Sequence, residues 1–141
     1  MTVKHLFTQA AHGVSPEPAE QLELVMGGGA KGDQHEHRKT RALVIMSLSD
    51  INLLGLKPGD LREQVTLDLP ELMSLKDGTT IKIGDVDIRI DGDCDPCVHI
   101  GELLSVQDRE AFRESLLGHR GKLATVLTGG IIAIGDKTEL V

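Results

Sequence analysis

Apolar and polar residues alternate with a period of two along much of this chain, the pattern of strands with one buried face. The pattern is clearest from Thr80 to Ile90. Ile81, Ile83, Val86, Ile88 and Ile90 are apolar, while Lys82, Asp87 and Arg89 alternate with them. Gly84-Asp85 between the two halves predicts a hairpin with a two-residue turn, glycine first. Val3–Thr8, Gln21–Val25, Ala42–Ser47, Gln64–Leu67 and Lys122–Thr128 read as further strands. Ile131–Ile134 and Thr138–Leu140 predict a last hairpin around Gly135-Asp136. His12–Glu20 carries Gly13, Pro16 and Pro18 and predicts a loop. Leu69–Leu75 fits neither period.

The helical period is confined to two places. Ser49 or Asp50 predicts the cap of a short helix that runs through Leu54 and stops at Gly55. Gly101–Leu117 reads as helical, with Leu104, Phe112 and Leu116 on one stripe and Gly118 as the C-terminal cap. Asp108 falls on that apolar stripe, which predicts a restart of the helix with Asp108 as its N-cap. Strands follow one another without regular β-α-β alternation. The expected fold is therefore mainly β: an antiparallel, barrel-like sheet with one or two helices packed against it, in a single domain spanning 1–141.

Composition narrows the function. The chain has 22 acidic and 15 basic residues, a formal charge of −7, two Phe, and no Trp or Tyr. Net negative charge argues against a broad grip on nucleic acid. Missing aromatics remove base-stacking platforms and membrane-interface belts. Apolar runs such as Ala42–Met46 fall far short of a membrane span of about 20 residues. The first residues, with one Lys and no apolar stretch, do not read as a secretory signal. A cytoplasmic protein is expected, without nucleic-acid or membrane partners. Two cysteines are too few for a disulfide framework.

Those two cysteines form Cys94-Asp95-Pro96-Cys97, between the hairpin and the helical stretch. Such a pair can be a redox dithiol, half of a metal site, or one reactive thiol beside a bystander; two small buried apolar residues are the bland alternative. Asp91, Asp93 and Asp95 crowd it, and nearby negative charge raises a thiol pKa. Cys94, Cys97 and His99 with His35 or His37 would make a zinc site, but only one close-spaced knuckle is present. Asp91, Asp93, Asp95 and Glu102 match calcium-loop spacing, yet Pro96 occupies the position where that loop turns on glycine. Gly27-Gly28-Gly29 followed by Lys31-Gly32 lacks the spacing of a phosphate loop. Lys31–Arg41 is the basic island of an acidic chain, holding four bases, two acids and two histidines. His119-Arg120-Gly121-Lys122 is a second basic spot. Both could surround an anion near Cys97 if the fold joins them; a solvated loop is the alternative.

Several motifs occur in order: Gly32-Asp33-x-His35-x-x-Arg38, Pro58-Gly59-Asp60-Leu61-Arg62-Glu63, Leu75-x-x-Gly78-x-x-x-x-Ile83-Gly84, Pro96-Cys97, Arg120-Gly121 and Gly130-x-x-x-x-Gly135-Asp136. In this series the chain resembles the MOSC domain, named for the C-terminal domain of the molybdenum cofactor sulfurase. The resemblance runs from about Val3 to Val141. It implies a β-barrel-type domain that carries sulfur or binds the molybdenum cofactor, a pterin dithiolene bearing a phosphate. Cys97 is then the residue expected to carry a persulfide or to ligate the metal, with Cys94 able to release the sulfur by disulfide formation. Gly32, Asp33, His35, His37 and Arg38 are expected on the pterin–phosphate side, joined by Arg120. The chain departs from the family in having Glu63-Gln64 where Glu-Asn is usual, and Cys94 is extra. A pyridoxal-phosphate-dependent cysteine desulfurase or a molybdoenzyme is the expected partner; pyridoxal phosphate itself is not expected on this chain. Two other readings stay open: a non-catalytic partner module on the same barrel, and a C-x-x-C thiol oxidoreductase.

Overall fold

The computed structural model describes residues 1–95, 100–101 and 104–141. Strand β1 covers Val3–Thr8, β2 Glu17–Ala19, β3 Gln21–Leu24 and β4 Leu43–Ser47; helix α1 (Leu48–Leu53) leads to β5 (Val65–Leu67). A 3-10 turn at Leu72–Ser74 precedes β6 (Thr80–Ile83) and β7 (Val86–Asp93). Helix α2 (Arg109–Ser115) is followed by β8 (Lys122–Val126), β9 (Gly130–Ala133) and β10 (Thr138–Leu140). Among the described residues, eight strands form one curled sheet in the order β10-β6-β7-β8-β4-β5-β1-β2, and β3 pairs with β9 in a second. The fold is mainly β and barrel-like, as expected. Backbone bonds from Val3 to Asp136 (3.0 Å), Gly135 to Val3 (2.9 Å) and Thr138 to Met1 (2.9 Å) tie the start of β1 to the approach of β10. A bridge between Thr2 and Lys137 belongs to the same seam.

The period-two pattern explains the core. In the β6–β7 hairpin, Ile81, Ile83, Val86, Ile88 and Ile90 are all fully buried. They pack with Leu43, Ile45, Leu67 and Ala124 inside the curl. Burying each such side chain stabilises the fold by roughly 1.5–3 kcal/mol. Gly84 takes φ +56° at the first turn position, which an L side chain adopts only with strain.

Strand β4 faces two ways. Leu43 and Ile45 point into the barrel, whereas Met46 joins a second apolar cluster with Ile51, Leu61, Ile100 and Leu116. That cluster seats both helices on the outer face of the sheet. Val44, on the same outer face, is left to line a cavity.

β4 and β5 pair in parallel across α1, while every other strand pair among the described residues is antiparallel. Three expectations need correction. Ile131–Ile134 and Thr138–Leu140 do not form a hairpin: β9 pairs with β3 and β10 with β6. The chain turns at Gly135-Asp136, where backbone bonds to Val3 hold it, and so divides the strands between two sheets. The proline-bearing loop contains strand β2, which Pro18 tolerates because β2 is an edge of the sheet. Helix α1 starts two to three residues early, with Ser47 at the cap position and no side-chain cap bond. Asp50 lies inside the helix, with its Oδ1 2.8 Å from His119 Nδ1.

The helical stretch does break as predicted. Leu104 and Val106 close a turn onto Ile100 and Gly101, and Ser105 has φ +56°. Asp108 then caps α2 by accepting from the Ala111 amide at 3.0 Å.

A candidate anion-binding cavity

The outer face of β4 is roofed by three loops, and one buried carboxylate stitches them together. Asp33 accepts hydrogen bonds from the amide of Gln9 (2.8 Å), the amide of His35 (3.0 Å) and the side-chain amide of Gln64 (3.3 Å). It thereby joins the end of β1, the loop at residues 33–38 and the entry to β5. Gln64 is fully engaged, because its Oε1 also accepts from the Val44 amide at 2.6 Å. Gln34 Nε2 donates to Gln9 Oε1 at 2.9 Å, and Gln9 Nε2 donates to the Val14 carbonyl at 2.7 Å. This amide chain ties the loops together beside a cavity of about 180 Å³.

Val44 and Ile100 give the cavity apolar surface; Gln9, Gln34 and Gln64 form its polar wall. Arg62, Arg120, His12 and His35 supply its cationic and protonatable groups. Arg120 is buried, and its Nη1 has no hydrogen-bond partner. Arg62 donates from Nη1 to the Val14 carbonyl at 3.3 Å, while its buried Nε has no partner. Buried guanidinium donors are normally paired, so two unfilled ones beside one cavity make it a candidate anion site.

The turn that delivers Arg62 is strained. Pro58-Gly59 reverses the chain, the Arg62 amide bonds back to the Gly59 carbonyl at 3.0 Å, and Arg62 is left with φ +63°. A non-glycine residue there costs about 1–3 kcal/mol, and such residues concentrate at ligand clamps. The neighbouring Glu63 locks the turn: its buried carboxylate accepts from the Gly59 amide at 3.0 Å. Burial pushes the Glu63 carboxyl above the usual range; the Gly59 amide and the charge of Arg120 oppose this only in part. His35 is held below the ordinary imidazole value, first by burial and then by the charge of Arg38, against the opposing pull of Asp33. The lowered pKa favours the neutral, hydrogen-bonding form of His35, and the fixed positive charge comes from the two arginines.

Of the residues expected from sequence, His35 and Arg120 meet at the cavity and Asp33 lies behind it as the organiser. Gly32, at φ +85°, opens the loop and donates its amide to Glu36 Oε1 at 2.7 Å. His37 is exposed and faces Glu36 Oε2 at 3.5 Å. Arg38 is exposed too, and acts on the cavity through its field on His35. The basic island thus contributes one imidazole, not a ring of charge. Arg41 turns away, its amide bonding Asp91 at 2.9 Å and its guanidinium reaching the Asp93 carbonyl at 3.5 Å. Arg62 and Gln64 were not singled out beforehand, although both sit in or beside the Pro58–Glu63 motif. Gln9, His12 and Gln34 carry no local signal at all.

Of the acids near the cysteines, Asp91 and Asp93 belong to β7, where Lys122 pairs with Asp93, and Asp95 follows the strand. Asp91 is desolvated, which alone would raise its pKa. The Thr125 hydroxyl, the Arg41 amide and Arg89 outweigh this and hold it below the usual range. Among the described residues no cluster of three or more His, Cys, Asp or Glu is arranged to hold a metal ion. Cys94 donates its amide to the Gly121 carbonyl at 3.0 Å, one residue from Arg120, and is not among the cavity-lining residues. Cys97, the expected carrier and metal ligand, lies outside the described residues, as do His99 and Glu102. No helix among the described residues is long and apolar enough to cross a membrane.

Comparison with known proteins agrees with the motif series. The sequence profile of the MOSC domain matches residues 33–139. The crystal structure of the YUAD protein from Bacillus subtilis is similar over 99% of this chain and 96% of that one, with 26% identity and a TM-score of 0.85. YiiM from Escherichia coli shares the fold at 17% identity and a TM-score of 0.70, covering 100% of this chain and 70% of its own. YiiM from Geobacillus stearothermophilus does so at 14% identity and 0.74, covering 99% and 74%. No curated protein matches significantly. With a profile match over most of its length and a barrel shared end to end, this chain belongs to the MOSC domain family.

Proposed function

We propose that the cavity receives the anionic, phosphate-bearing end of the molybdenum cofactor and that Cys97 carries sulfur for it. The observation that supports this most is Arg120, buried at the cavity with an unfilled Nη1 donor. An incoming phosphate oxygen would complete that guanidinium, and a charge-assisted bond of this kind is worth about 1.5–3 kcal/mol. Arg62 would hold the same group as well, and His35 would supply a further hydrogen bond. When bound, the cofactor would supply a metal–dithiolene centre for sulfur or oxygen-atom chemistry. The donor set fits an anion; it holds no aromatic platform.

Cys97 is three residues from Ile100, which lines the cavity, and three trans peptide steps reach at most about 11 Å. A persulfide would form there when the Cys97 thiolate attacks the outer sulfur of a donor persulfide and the donor thiolate leaves. Cys94 would then attack the inner Cys97 sulfur, closing a disulfide and expelling hydrosulfide. The reading goes with a cytoplasmic setting and with a pyridoxal-phosphate-dependent desulfurase or a molybdoenzyme as partner.

Loading tests it. Purified chain incubated with cofactor released from a molybdoenzyme should retain pterin, read as fluorescence after oxidation, and Arg120→Gln should retain at least about tenfold less. Equal retention by both, or none by the wild type, contradicts the reading. A mass gain of one sulfur atom on wild type but not on Cys97→Ser tests the carrier role separately.

A further inference from the structure

Glu63 is the buried ionisable group that the anion site leaves unused. Its neighbours Arg62 and Gln64 line the cavity, whereas Glu63 does not and is only 1% exposed. One carboxylate oxygen is held: Oε2 accepts from the Gly59 amide at 3.0 Å and from the Thr66 hydroxyl at 3.4 Å. The other, Oε1, is buried without a hydrogen-bond partner. An ionised carboxylate offers about four acceptor positions, so a buried oxygen with none of its own filled penalises the charged form.

The groups that act on this carboxyl come from three segments. Its own turn supplies backbone hydrogen bonds at Gly59, Leu61 and Glu63, and β5 supplies the Thr66 hydroxyl. The segment before β8 supplies the positive charge of Arg120. That same guanidinium has the unfilled Nη1 donor at the cavity. One charge therefore faces two anions, the buried carboxylate and the ligand. An oxyanion seated on Arg120 cancels the field that favours ionised Glu63. Reciprocally, a proton on Glu63 leaves that field to the ligand.

Resting on the anion-site reading above, we propose that Glu63 is the proton acceptor of the cavity: seating an oxyanion on Arg120 draws a proton from solvent onto Glu63. Protein with ionised Glu63, the oxyanion and a proton released by the buffer give loaded protein with a neutral carboxyl. No covalent bond other than O–H forms, and nothing is oxidised or reduced. The site thus binds oxyanions more tightly as pH falls through the Glu63 transition. His12 and His35 line the cavity as well, so total proton uptake mixes three groups, whereas the Glu63 carboxyl carbon reports on one.

Nuclear magnetic resonance of that carbon, followed across pH on the full chain with and without saturating sulfate, tests this. Sulfate is the probe because, unlike phosphate, it does not itself titrate near neutral pH. It should raise the Glu63 midpoint by at least about 0.7 of a pH unit, a fivefold linkage at the low end of coupling between sites. By the same linkage, sulfate affinity should fall at least about fivefold as pH rises through the transition in His35→Gln. The His35→Gln/Glu63→Gln double variant should lose that fall. The midpoint measurement needs no substitution at Glu63, so it stands if the double variant does not fold. A midpoint that saturating sulfate leaves in place, or a fall that survives in the double variant, overturns the proposal while the anion site stands. If the wild type binds no sulfate, the anion site and the proton uptake fall together.

Discussion

Arg120 and Arg62 show how single residues are committed to the cavity. A buried guanidinium with an unfilled donor destabilises the empty protein. Arg120→Gln should therefore weaken phosphate binding by roughly 10- to 100-fold, the size of one charge-assisted hydrogen bond, in a calorimetric titration. Arg62→Gly removes the strained φ and adds backbone freedom to the unfolded chain. The two effects oppose, so stability should change by less than about 1 kcal/mol while phosphate affinity falls at least about tenfold. One buried and one half-buried titrating group give opposite pH trends. Glu63 sits above its ordinary 4.5, so its contribution to stability is complete below that pH and is lost as pH rises through the folded value. His35 sits below its ordinary 6.5, so its contribution is complete above that pH and is lost as pH falls through the folded value. Urea midpoints followed across pH should lose their alkaline-side decline in Glu63→Gln and part of their acid-side decline in His35→Gln. Unchanged profiles would remove both groups from the account.

At the scale of elements, close approach decides where glycine is required. A Cβ on Gly121 would come within 2.5 Å of the Ile45 carbonyl and 2.7 Å of Met46 Sδ, at φ +101°. Gly121→Ala should push β8 off β4, destabilise by more than about 2 kcal/mol in denaturant unfolding, and displace Arg120 with it. Asp108→Ala should cost α2 about 1 kcal/mol, with no effect on anion affinity because α2 does not line the cavity. Strands with strict alternation, such as Val86–Ile90, were readable because burial of one face is a local property. The fate of Ile131–Ile134 and Thr138–Leu140 was not. Their turn has the composition of a hairpin, and only long-range pairing with Gln21–Leu24 and Thr80–Ile83 separates them. The glycines at 27–29 lack phosphate-loop spacing and serve another purpose: Gly29 donates to the Glu36 carbonyl at 3.0 Å and a Cβ on Gly28 would strike that same carbonyl. They are small so that the Asp33–Arg38 loop can lie on them.

The whole molecule explains why charge along the chain was a poor guide to charge in space. Lys31–Arg41 is the richest basic run, but most of it faces solvent or the acids of β7. The cavity takes its arginines from the Pro58–Glu63 turn and from Arg120, two residues before β8, which meet only because the barrel curls both toward β4. The seam between β1 and the approach to β10 closes that curl, so cavity and core should unfold together. Calorimetric and van't Hoff enthalpies should agree; a van't Hoff value well below the calorimetric one would mean the loops around the cavity melt separately. The central claim is that an anion binds at Arg120 and not on the basic island. It is tested most directly by nuclear magnetic resonance titration with inorganic phosphate. The account predicts saturable shifts at the side-chain amides of Gln9, Gln34 and Gln64 and at the guanidinium of Arg62, all needing at least about tenfold more phosphate in Arg120→Gln. Shifts confined to Lys31, His37, Arg38 and Lys39, or shifts that persist unchanged in Arg120→Gln, would contradict it.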